Sequence, residues 1–202
     1  MSGSLIARLL ATAAAWSSPC FGSTRLSLEP TDLAPVTQPA GSTTFDPFEK
    51  GRSSLEVSAA YAHPTIHGPQ EFLGGTIAVG YAVAMNLITS GELTLDHVDG
   101  DGSDGTAVGL TLRTRYRFLE RDKLSLFVDG AIGVVQSSVD VPEVGTHTNF
   151  RSSIGLGALV PLKDDLHLIS GARWLHISNA GLDDDNDGYS GVQFYVGIVL
   201  PL

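Results

Sequence analysis

The sequence predicts an all-β protein: a closed, eight-stranded antiparallel β-barrel that crosses the outer membrane, with short turns at one end and longer loops at the other. Three observations predict it. From Ser53 onward the apolar residues recur with period 2 rather than 3.6, in eight segments separated by turn signals rich in Gly, Pro and Asp. The opposite parity carries Glu56, Glu92, Asp96 and Asp129 together with Arg113, Arg115, Arg117, Arg151 and Arg173, interspersed with small residues. No apolar run reaches the roughly 18 residues of a transmembrane helix.

Composition bounds the rest. The chain has 202 residues, which suits one domain with a tail. Hydrophobic residues make up 43% and charged residues 17%, so disorder over the whole length is excluded. Lys and Arg total 12 against 22 acids, a net charge of -10, and no basic face for nucleic acid is present. The single cysteine, Cys20, excludes an intramolecular disulfide framework and a four-cysteine zinc site.

Residues 1–22 read as a secretory signal: Arg8 and the amino terminus supply positive charge, residues 9–16 (LLATAAAW) are apolar, and small residues allow a cut after Gly22. A buried N-terminal helix fits less well, because the apolar stretch is short and polar residues follow at once. Pro19 before Cys20 argues against a lipoprotein attachment site. Residues 23–51 read as a periplasmic linker, since Pro30, Pro35, Pro39 and Pro47 remove donors and fix backbone angles. The barrel occupies residues 52–202.

The eight strands are expected near 53–62, 72–83, 87–98, 106–118, 123–135, 149–162, 165–178 and 190–202. The fourth is the clearest: Val108, Leu110, Leu112, Tyr116 and Phe118 face one way, and Arg113, Arg115 and Arg117 the other. The fifth sets Leu124, Leu126, Val128, Ile132 and Val134 against Ser125 and Asp129. The sixth sets Ile154, Leu156, Ala158 and Val160 against Arg151, Ser153, Gly155 and Gly157, and the last sets Val192, Phe194, Val196, Ile198 and Leu200 against Gln193, Tyr195 and Gly197.

Two closed barrels share this pattern. In a soluble calycin-like barrel the apolar set would line a ligand cavity. In an outer-membrane barrel it faces lipid and the polar set fills the lumen. The arginines and acids decide for the second, because they can pair across a narrow lumen that small residues leave open. The connections agree: short after strands 2, 4 and 6, long after 1, 3, 5 and 7, which puts both chain ends in the periplasm. Trp174, Tyr61, Tyr81 and Tyr116 suit interfacial girdles. The terminal Leu202 departs from the aromatic residue that usually ends such barrels, but it is apolar.

The seventh strand ends in His176-Ile177-Ser178-Asn179-Ala180-Gly181. His176 and Ser178 share a face, and parity back through Trp174 and Ala172 makes it the lipid-facing one. A histidine beside a serine hydroxyl is the minimal unit of nucleophilic acyl transfer, and the Asn179 amide could stabilise an oxyanion. The plainer alternative is a polar girdle where Ser-Asn-Ala-Gly begins a turn.

The stretch Arg173-Trp174-Leu175-His176-Ile177-Ser178-Asn179-Ala180-Gly181-Leu182, continuing to Asn186-Asp187-Gly188, resembles the outer-membrane lipid A deacylases of the PagL type, a family of small eight-stranded acyl hydrolases. Gly145-Thr146-His147-Thr148-Asn149-Phe150 is similar to a second family stretch, with Thr148 in place of a phenylalanine. The resemblance implies an outer-membrane esterase that removes an ester-linked acyl chain from lipid A (lipopolysaccharide). Ser178 would be nucleophile, His176 general base, and Asn179 part of the oxyanion hole. Ser190 stands where the family has the glutamate that orients the histidine. Asp185 or Asp187 could supply an acid instead, and a lipid-binding or structural barrel without turnover is the alternative function.

No cofactor motif is present, and the histidines have no metal-ligand spacing; His63, His67, His97, His147 and His167 read as loop or strand-surface residues. Asp183-Asp184-Asp185-Asn186-Asp187-Gly188 starts like a calcium loop, but Phe194 occupies its closing position; Leu110 does the same for the loop beginning at Asp99. Both read as solvated acidic loops, with weak divalent-cation capture near lipid phosphates as the alternative. The sequence leaves open whether the barrel forms a homodimer.

Overall fold

A computed structural model describes residues 45–66, 69–100, 104–143, 145–163, 165–182 and 188–202. The expected signal segment, the linker up to residue 44 and the acidic stretch 183–187, with Asp185 and Asp187, lie outside the described residues. Eight strands follow one another: β1 (Ser53–Ile66), β2 (Glu71–Ala84), β3 (Leu87–Asp99), β4 (Gly105–Arg121), β5 (Leu124–Val141), β6 (Thr146–Lys163), β7 (Leu166–Ser178) and β8 (Tyr189–Pro201). Each pairs antiparallel with its neighbours and β8 pairs with β1, so the sheet closes as the sequence predicts.

The strand parities also agree. Leu112 is 55% exposed on the outside while Arg113 is 2% exposed inside. Such an exterior, carrying Leu73, Leu95, Leu110, Ile132, Ile154, Leu156 and Phe194, is a band for lipid.

The loops correct the sequence reading. Three of the four connections expected to be long are tight: 67–70, 100–104 and 142–145, whereas 179–188 remains extended. Strand pairing continues beyond the lipid band, where the alternation inverts. On β5 the outward residues change from Ile132 and Val134 to Gln136, Ser138 and Asp140, while Val135 and Val141 are buried inside. On β3, Leu93 and Leu95 give way to His97 and Asp99 outside, and Asp96 gives way to Val98 inside. Above the band the outside is water, so the barrel becomes apolar within and polar without. Side chains brace the extension: Asn149 Nδ2 donates to the carbonyls of Val141 (3.0 Å) and Thr146 (2.6 Å), and Ser137 Oγ to that of His147 (3.1 Å).

The lumen is filled in three layers. In the middle, Arg113 bonds Glu56 (2.8 Å) and Glu92, Arg115 bonds Glu56 (2.9 Å) and Asp129 (3.2 Å), Arg173 bonds Asp129 (3.0 Å), and Arg151 bonds Asp96 (2.9 Å). These are the lumen pairs that the sequence predicts, and Gly155 makes room for one of them: a Cβ there would meet Arg173 Cγ at 2.6 Å. Apolar layers cap the network. Phe72, Val98, Leu175, Ile177 and Tyr189 close the extracellular end. Phe45, Phe48, Phe127, Leu159 and Ile169 close the periplasmic end. Arg117 departs from the expected lumen pairing: it sits in the periplasmic mouth, bonded to Asp46 (3.1 Å) and Glu120 (3.0 Å) under the Phe48 ring. Residues 45–51 form turns packed into that mouth, with Gly51 N–H on the Ala82 carbonyl (2.9 Å) and Asn86 N–H on the Phe48 carbonyl (3.0 Å).

Candidate active site on the outward rim of β7 and β8

The inversion of parity fixes the depth of the candidate residues. On β7 the outward side chains run Trp174, His176, Ser178 and the inward ones Arg173, Leu175, Ile177. His176 and Ser178 are therefore the first polar outward residues above the lipid band. Their place is the head-group boundary, where a polar side chain meets little of the penalty of hydrocarbon burial.

β8 runs antiparallel to β7, and His176 pairs directly with Ser190. Both side chains point outward, and His176 Nδ1 lies 2.9 Å from Ser190 Oγ. With Nδ1 protonated, the imidazole donates to Ser190, and Nε2 carries the lone pair. The other ring edge faces Gly188. A Cβ built on Gly188 would lie 3.2 Å from His176 Cε1, 3.8 Å from Nε2 and 3.7 Å from Ser178 Cβ. Nε2 and the Ser178 side chain thus border one small space above Gly188. Gly188 has φ +66°, which a side chain would strain. Sequence reasoning missed Gly188, although a glycine closing the loop opposite a His-x-Ser pair is a readable signal.

Asn179 takes a different place. It is 3% exposed, and its Oδ1 accepts the Gly181 N–H at 2.9 Å while its carbonyl accepts that of Leu182 at 3.2 Å. Ala180 and Gly181 both have positive φ, at 56° and 75°. Asn179 therefore holds the tight turn that ends β7 just beyond Ser178.

The flanks add two features. On the β6 side, Phe150 pairs with Ser178 and Ser152 with His176. Both also line an outward apolar groove of about 690 Å³ that continues over Leu110, Leu112, Ile132 and Val134. On the β1 side, Thr65 Oγ1 donates to the Ser190 carbonyl at 3.2 Å, beside a register shift between Pro64 and Ile66. Among the described residues no group of His, Cys, Asp and Glu is arranged to hold a metal ion.

A family model described as lipid A 3-O-deacylase (PagL) matches residues 73–199. No curated protein matches the sequence. Among solved structures, the barrel is similar to the outer membrane enzyme PagL at 23% identity and a TM-score of 0.55, over 73% of this chain and 99% of that one. It is similar to Neisserial surface protein A at 16% identity and a TM-score of 0.62, over 74% of this chain and 97% of that one. It is also similar to the outer membrane protein OprG from Pseudomonas aeruginosa at 9% identity and a TM-score of 0.51, over 76% and 97% of the respective chains. At these identities the likeness to solved structures concerns the fold.

Proposed function

This chain belongs to the lipid A 3-O-deacylase (PagL) family of the bacterial outer membrane, and we propose that it hydrolyses an ester-linked acyl chain of lipid A with Ser178 as nucleophile and His176 as general base. The observation that carries the reading is the outward rung on which His176 Nδ1 meets Ser190 Oγ at 2.9 Å while Nε2 and Ser178 border the space above Gly188. A hydrolase of a membrane lipid needs its nucleophile at head-group depth and facing lipid, and the inverted parity around His176 supports that position.

In this mechanism Ser178 Oγ attacks the ester carbonyl as Nε2 takes its proton. The charge that develops on the carbonyl oxygen needs donors. Asn179, held by its turn, positions that segment and supplies an amide donor. Collapse of the tetrahedral intermediate breaks the bond to the sugar oxygen, which recovers the proton from His176. Water then attacks the acyl-enzyme by the same route in reverse. The apolar groove that begins at Phe150 and Ser152 seats the acyl chain.

Ser190 in the place of an acid favours a second reading, a barrel that binds the lipid without turnover. A hydroxyl fixes the ring's tautomer but adds no charge to stabilise an imidazolium, and removing the acid of a triad can lower kcat by about 10⁴.

Mass spectrometry of lipid A from cells making the protein separates the two. Loss of one acyl chain, abolished by Ser178→Ala and by His176→Ala at matched outer-membrane levels, is the expected result. Unchanged lipid A from a correctly folded barrel would refute the hydrolase and leave the lipid-binding reading.

A further inference from the structure

A second polar cluster lies on the same outward rung, two strands away. His63 Nδ1 is 2.8 Å from Glu71 Oε1 and 3.4 Å from the Tyr61 hydroxyl. These residues close the β1–β2 hairpin, one rung beyond the Ala62–Phe72 pair. Outward parity again changes here, from Tyr61 to His63 on β1 and from Leu73 to Glu71 on β2, while Ala62 and Phe72 are buried inside. The cluster is therefore at head-group depth, like His176 and Ser178.

Its distance from the reacting pair follows from the register. His63 pairs with Val192 of β8, and Val192 with Trp174 of β7, two residues before His176. Two strand spacings separate β1 from β7, about 10 Å along the barrel surface. Thr65, between the two clusters, bonds the backbone of Ser190. We propose that Tyr61, His63 and Glu71 form a sugar-binding subsite that takes the second sugar of a disaccharide glycolipid head group while Ser178 addresses the acyl ester on the first.

The chemistry selects the ligand. A carboxylate, an imidazole and a phenol converging on one exposed face can accept and donate to neighbouring hydroxyls, and the Tyr61 ring offers an apolar surface to a sugar's C–H groups. Glu71 would repel a phosphate, so the site suits the hydroxylated ring rather than the charged substituent. The separation is one that a disaccharide spans and a single sugar does not. As a cross-strand pair, His63 and Glu71 would also tighten the hairpin. A purely structural role, however, would not make ligand preference depend on them.

The proposal rests on lipid A as the ligand and not on turnover, so it is tested on a Ser178→Ala barrel in defined detergent micelles. Affinities for hexa-acylated lipid A and for a diacylated glucosamine 1-phosphate are measured by native mass spectrometry. Glu71→Ala and His63→Ala are expected to weaken binding of the disaccharide about tenfold relative to the monosaccharide, with partial rescue by Glu71→Gln, which keeps an acceptor oxygen. Heat-modifiable gel mobility confirms that each variant is folded. Equal weakening of both ligands, or of neither, would overturn the subsite. If the parent with Ser178 intact releases no acyl chain but the preference still depends on Glu71, the hydrolase falls and the subsite stands.

Discussion

If Ser190 orients His176, replacing it with alanine and with glutamate must move turnover in opposite directions. Ser190→Ala removes the acceptor 2.9 Å from Nδ1. A neutral hydrogen bond of this kind contributes about 0.5–1.5 kcal/mol, so kcat should fall roughly two- to tenfold. Ser190→Glu supplies a charge facing the imidazolium of the transition state. Two charges 4 Å apart interact by about 1 kcal/mol in water and about 4 kcal/mol at an effective dielectric of 20. The His176 rim is solvent-exposed, so the gain belongs near the lower value, about 1–2 kcal/mol, or roughly 5- to 30-fold in kcat. The two variants should therefore differ by about 10². The assay is fatty-acid release from lipid A in detergent micelles, followed by mass spectrometry across pH. The sign of the pH effect is fixed: a carboxylate favours the protonated ring, so the acid limb of the Ser190→Glu profile moves to higher pH. Ser190→Asp, one methylene shorter, controls for reach. Parental kcat in Ser190→Ala, or no gain from either acid in a folded barrel, would refute the argument that Ser190 is the third member of the site.

Two further perturbations separate the site from its scaffold. Gly188→Ala places a Cβ 3.2 Å from His176 Cε1 at a φ of +66°, which strains the backbone by about 1–2 kcal/mol. It should lower kcat at least tenfold while the urea midpoint of the barrel in lipid vesicles hardly moves. Asp129→Ala does the reverse: it removes the carboxylate shared by Arg115 and Arg173. Breaking a buried ionic network in this way typically destabilises by about 3–5 kcal/mol, so urea unfolding should shift strongly while lipid A deacylation by the folded fraction persists.

The barrel was legible because alternation is a property of the strand and not of any one contact. Arg113, Arg115, Leu110 and Leu112 declare their faces from spacing alone, and the rivalry between a soluble and a membrane barrel is settled by which set carries charge. The extracellular ends were misread for a physical reason. Gln136, Ser138 and Asp140 look like loop in sequence, but they are outward residues of a strand that has risen into water, and Val135 and Val141 are its core. A rule that apolar means outward holds only inside the lipid band. The outward projection of His176 and Ser178 was readable from parity. The contact to Ser190 needed the β7–β8 register, and the approach of Gly188 needed the course of the loop. The Tyr61–His63–Glu71 cluster was hidden more deeply, since Glu71 had been placed in a connection and only the closing of the β1–β2 hairpin sets it beside His63.

The inversion of parity also explains how an acid can be absent from such a site without harm to the fold. The residues that hold the barrel together point inward: Glu56, Asp129, Arg113, Arg115 and Arg173 in the middle, and Phe72, Leu175 and Tyr189 above them. The residues that meet the lipid head group point outward on the same strands, one position away. Ser190 is flanked by Tyr189, which is buried in the extracellular cap, and Gly191, whose missing side chain leaves room for the Tyr189 hydroxyl (2.5 Å from a built Cβ). A substitution at 190 therefore changes the polar surface offered to His176 and leaves the packing of its neighbours untouched. Stability and chemistry are encoded in alternate residues, so turnover can vary along this rim independently of the barrel, and Ser190→Glu should alter kcat without altering the unfolding midpoint by more than about 0.5 kcal/mol, the usual range for a surface change.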